Sequence, residues 1–100
     1  MTPDSFRRAA ATDAAPPAGL DGPLLALWWD ARGDWDRAHA AAQAGEDAGS
    51  AWVHAYLHRG EGDLANADYW YRRAGHRRPD TTLEAEWATI VAALLPVSPR

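Results

Sequence analysis

Two histidines, His54 and His58, stand four residues apart. On a helix that spacing puts both imidazoles on one face, which is how helices present paired nitrogens to a metal ion. Trp52, Val53, Tyr56 and Leu57 would then gather on one side of the helix, while the histidines share the other with the small Ala51 and Ala55. A third histidine, His39, falls near Trp35 and Ala42 on the preceding helical segment, which should neighbour the first, so a three-histidine cluster is geometrically allowed. Zinc would accept such a set, with water, Glu61 or Asp63 in the fourth position. The tetrad of a zinc protease is absent, because Ala55 stands where glutamate would follow the first histidine. The competing expectation is structural, with the histidines hydrogen-bonded between helices to aspartates or backbone groups.

Other residue groups point to binding rather than catalysis. Arg72, Arg73, Arg77 and Arg78, with His76, give residues 72–80 a charge of +3 in an otherwise acidic chain. Guanidinium forks match phosphate or carboxylate oxygens, but cations at a helix C-terminus also complement its dipole. Tyr69, Trp70 and Tyr71 cannot all face one way on a helix, so one of them is a candidate anchor for a partner. Trp28, Trp29, Trp70, Arg72, Arg73 and Arg77 make up the expected partner-binding set. Asp30, Asp34 and Asp36 form a small acidic group in which Asp34 serves as a helix cap. Serine occurs only at positions 5, 50 and 98, none in a nucleophile-like setting, so Ser-His-Asp chemistry is not supported and no enzyme activity or cofactor is expected.

The elements that must position these groups are helical. Residues 1–19 hold three prolines and one aromatic side chain, Phe6, and read as a flexible tail with at most a transient helix around Phe6 to Ala11. From Leu20 to Leu95 the pattern is that of one helical domain, punctuated by glycines at 33, 45, 60, 62 and 75, where helices could stop in left-handed turns. Five helices are predicted: Pro23 to Arg32 capped by Asp21 or Gly22, one from the Asp34 cap to before Gly45, Ala51 to Arg59 capped by Ser50, Leu64 to Ala74 capped by Asp63, and a last one to Leu95. The last opens with the capping-box spacing Thr81 to Glu84, and residues 96–100 after it are expected to be disordered. It carries Leu83, Trp87, Ile90, Val91 and Leu94 on one stripe, suiting a closing helix. The apolar residues of the first helix spread over about 200° of its circumference, wider than one contact requires. Either the last helix folds over the second side or a partner covers it.

The strings Gly33-Asp34-Trp35-Asp36-Arg37-Ala38 and Gly62-Asp63-Leu64-Ala65-Asn66-Ala67 agree at glycine, aspartate, an apolar residue and alanine, offset by 29 residues. Glycine permits the turn, aspartate caps the next helix and alanine lets two axes approach. After Gly62, the residues Ala67, Tyr71, Ala74 and Pro79 resemble the second half of a tetratricopeptide repeat, most specifically over residues 60–80. In the first unit Ala42, Gly45 and Ser50 stand where the repeat has an aromatic, an alanine and a proline. The resemblance implies an all-α fold of two antiparallel helix-turn-helix units plus a C-terminal capping helix, and a protein-binding scaffold. The stretch Trp52 to Arg59, followed by Glu61-Gly62-Asp63 and Tyr69-Trp70-Tyr71, also resembles a family of short, uncharacterised bacterial proteins, which implies no activity.

Composition narrows the classes further. One hundred residues make one small domain, and 23 of the apolar residues are alanine, so six tryptophans and nine leucines must supply most of the core volume. Cysteine is absent, which removes thiolate ligands, thiol nucleophiles and disulfides. A net charge of −4 opposes nucleic acid and anionic membranes. No secretory leader or apolar span is apparent, so a cytoplasmic location is expected. The function expected is therefore protein–protein interaction or self-association as a homodimer, with a metal- or ligand-binding protein using His39, His54 and His58 as the alternative.

Overall fold

The computed structural model describes residues 2–20 and 22–95, and every regular element among them is a helix: α1 (Pro3–Thr12), α2 (Gly22–Ala31), α3 (Trp35–Gln43), α4 (Ala48–Gly60), α5 (Leu64–Ala74) and α6 (Leu83–Leu94). The most extensive contacts join α2 to α3 and α4 to α5. The turns within these pairs are built alike. Gly33 and Gly62 take φ of 78° and 86°, and Asp34 and Asp63 donate their backbone N–H to the carbonyls of Trp29 and His58. The side chains of the same aspartates accept the N–H of Arg37 and Asn66, satisfying groups that a helix start leaves without partners. The matching strings thus produce matching turns.

Helix α4 is the centre of the molecule. It packs on α2, α3, α5 and α6 and buries eight of its residues, so its two sides feed two apolar clusters. The larger joins Leu24, Leu27 and Trp28 of α2 to Val53 and Leu57 of α4 and to Trp87, Ile90 and Val91 of α6. The smaller is Ala55, Ala67 and Tyr71, where alanines let α4 and α5 approach closely. Trp87 donates its indole N–H to the Leu27 carbonyl, 3.1 Å away, which ties α6 over α2. On the α6 side of α4, buried Glu86 accepts from Arg59 at 2.8 Å and from the Tyr71 hydroxyl at 2.6 Å, so its charge is paired and hydrogen-bonded.

Several boundaries differ from the expectation. Position 21, one of the two proposed caps of α2, and positions 96–100 lie outside the described residues. Asp47, not Ser50, caps α4, accepting the Ser50 N–H at 3.2 Å. Ser50 is instead buried, its hydroxyl so near Gly45 that any β-carbon there would collide with it. Thr82, not Thr81, caps α6. Gly45 does not adopt a left-handed turn, and Gly60 belongs to α4.

The largest correction concerns the tail. Residues 3–12 form α1 rather than a flexible segment, with Thr2 and Ser5 closing a capping box. Phe6 and Ala10, one turn apart, are buried, and the Phe6 ring lies 5.7 Å from that of Trp87. Arg7 spans the Trp87 face and pairs with Glu84, while Arg32 donates to the carbonyls of Ala10 and Asp13. Burial of one phenylalanine and these polar ties offset the entropy of ordering a segment whose composition looks loop-like. The wide apolar face of α2 is covered by α6, as one reading anticipated, and by α1, which neither reading anticipated.

Candidate metal centre

His39 comes from α3, one turn after Trp35, while His54 and His58 come from successive turns of α4. Contact between those two helices brings the three imidazoles together: one nitrogen from each lies within 4.8 Å of the others. His39 Nε2 and His54 Nε2 are 2.9 Å apart, so in the metal-free chain one of them carries the hydrogen and the other accepts it. Tetrahedral zinc with Zn–N bonds of about 2.0–2.1 Å sets its nitrogens roughly 3.3 Å apart. The rings are therefore within small side-chain rotations of a three-nitrogen face.

Each ring is held from outside the trio. Trp35 stacks on His39 at 4.7 Å between centroids, and its indole N–H is anchored on the Leu57 carbonyl. Trp70 of α5 stacks on His54 at 4.0 Å, nearly parallel. Glu61, the residue that ends α4, reaches back to His58, its Oε1 2.6 Å from Nδ1. His54 and His58 are buried and His39 is half-buried, leaving the cluster approachable from the α3 side.

The electrostatics suit a cation's ligands. Burial, followed by the neighbouring His39 and His58, pushes the His54 imidazole down to about 4, and burial followed by His58 lowers His39. Both rings are accordingly neutral near pH 7, the form that offers a lone pair to a metal. A second group, His58, Glu61 and Asp63, also falls within 4.8 Å, but Asp63 is engaged as the cap of α5.

The remaining expected site residues are dispersed. Trp28, expected to meet a partner, is fully buried, because α1 and α6 close over α2. Trp29 is half-buried against Trp28, with the Arg37 guanidinium over its ring. Trp70, expected on a partner surface, is a wall of the histidine cluster. Arg73 lies over Tyr69 and Trp70, while exposed Arg72 and Arg77 share a separate depression with Arg78, which is paired with Asp68. The fourth histidine, His76, stacks on Trp52. Sequence reasoning passed over Glu61 as a support for His58 and Trp35 as a support for His39, although both pairs sit at helical spacing; Trp70 left no local signal, since its meeting with His54 is set by α4–α5 packing.

Fold and site together define an all-helical protein with a candidate three-histidine metal centre between two of its helices. No protein-family model matches the chain, and neither a curated protein nor a solved structure matches it. Among the described residues, no helix is long and apolar enough to cross a membrane.

Proposed function

We infer that this protein binds a divalent transition-metal ion of the zinc type through His39, His54 and His58. The observation that carries the reading is the convergence of three imidazole nitrogens from two helices within 4.8 Å. Two of those rings, His39 and His54, have pKa values lowered first by burial and then by neighbouring histidines, which favours ligation over protonation near pH 7. With three protein nitrogens and a fourth position for water, such a centre resembles open zinc sites more than closed structural ones.

The test is a Co2+ titration of protein purified without an affinity tag. The expected result is uptake of one equivalent with the strong visible absorption of four-coordinate Co2+, displaced by Zn2+. His39→Ala, a change at the half-exposed ligand, is expected to weaken binding by at least about tenfold, the scale on which even supporting residues act. Absence of that absorption, with no metal retained through dialysis, overturns the reading.

A second reading, self-association through the outer side of α5, is favoured by one observation. Leu64 and Tyr69 of that helix are large apolar side chains left exposed at 42% and 45%, on the same helix as the cations Arg72 and Arg73. Its signature is a melting temperature that rises with protein concentration.

A further inference from the structure

We propose that Glu61 is the positioning residue of this centre, fixing the tautomer and orientation of His58 without itself binding the metal. The inference rests on the metal-binding reading above and deepens it.

A neutral imidazole can carry its hydrogen on either nitrogen, and only the other nitrogen can ligate. The contact between His58 Nδ1 and Glu61 Oε1 is 2.6 Å, in the range of charge-assisted hydrogen bonds. A carboxylate only accepts, so this contact places the hydrogen on Nδ1 and leaves Nε2 with its lone pair for a metal. The imidazole is nine-tenths buried and has little freedom to turn away, whereas the carboxylate is 39% exposed.

The backbone of Glu61 is itself fixed. Its N–H donates to the Leu57 carbonyl as α4 ends, and the left-handed Gly62 turn follows directly. The nearest cation along the chain, Arg59, is committed to Glu86 and to the Thr81 carbonyl, so Glu61 is not drawn from His58. A carboxylate one bond removed from a ligating histidine holds the ring, raises its basicity and sets negative charge beside an otherwise neutral three-nitrogen shell. Trp35 and Trp70 restrain the other two rings by stacking, so each of the three ligands has its own support.

The experiment compares wild type with Glu61→Gln, which keeps side-chain length and an accepting oxygen but removes the charge and adds a donor. In the metal-free chain, long-range nitrogen–proton NMR is expected to show His58 protonated at Nδ1 in wild type and a mixture of tautomers in the variant. With Co2+, affinity is expected to fall by about 10- to 100-fold, while the absorption bands of the bound ion keep their positions. Bands that shift or lose intensity would make Glu61 a ligand and overturn the proposal. Unchanged affinity with an unchanged tautomer would overturn it as well. Glu61→Ala, which can form no such hydrogen bond, serves as a second variant with the same expectations, folding being checked by circular dichroism. A wild-type chain that takes up no Co2+ at all fails at the metal-binding reading, and this inference with it; wild-type binding with indifferent variants removes only the role of Glu61.

Discussion

Asp30 shows how single side chains in this molecule balance burial against hydrogen bonding. Burial raises its pKa above the usual carboxylate value, and the hydrogen bond from the Tyr56 hydroxyl at 2.9 Å only partly counters that. The folded chain therefore holds a proton on Asp30 more readily than the unfolded chain, so stability falls as pH rises from about 3.8 through the raised value. Asp30→Asn keeps an acceptor for Tyr56 and removes the buried charge. Urea unfolding is expected to find the variant at least as stable as wild type near pH 7, with the advantage shrinking as the pH is lowered toward 3.8; a variant less stable at neutral pH would contradict this account. The candidate ligands were legible at this scale because the four-residue spacing of His54 and His58 is a local property. His39 was legible as a neighbour only through the expectation that consecutive helices pack. What could not be read was the stacking of Trp70 on His54, since sequence offers no measure of helix rotation to within one ring width.

At the scale of elements, α1 is the instructive case. Its composition argues for disorder, yet one i, i+4 pair, Phe6 and Ala10, docks it on the core, with Phe6 beside the ring of Trp87, 81 positions further along the chain. Phe6→Ala is expected to cost about 3–5 kcal/mol of stability. It should also raise hydrogen exchange of amides 4–12 selectively, because α1 makes fewer tertiary contacts than its neighbours. Exchange that stays slow there would mean the polar ties of Arg7 and Arg32 alone hold the helix. The aspartate caps at 34 and 63 were legible because each follows a glycine and precedes a helical run. Ser50 was the expected cap of α4, but Asp47 takes that place because the Ser50 side chain is taken up by packing against Gly45, a tertiary contact invisible to local pattern.

At the scale of the whole molecule, the all-helical class followed from periodicity and capping signals, while the closure of the core over α2 depended on α1 and so was only half legible. Metal binding would be felt globally. A ligand held only by the folded chain adds about 2.7 kcal/mol at one hundred times its Kd, and for a domain of this size each kcal/mol raises Tm by roughly 4–8 °C. Saturating Zn2+ is therefore expected to lift the melting temperature by on the order of 10–20 °C, independently of protein concentration. A rise that follows protein concentration in metal-free buffer would instead favour the α5 self-association surface.

The three imidazoles straddle the seam between the α2–α3 pair and the α4–α5 pair, with His39 on one bank and His54 and His58 on the other. An ion seated there would be a reversible crosslink closing a loop of 15 residues between positions 39 and 54. A chain with no thiols to oxidise would then possess a clasp whose fastening follows the supply of metal rather than the redox state of its surroundings.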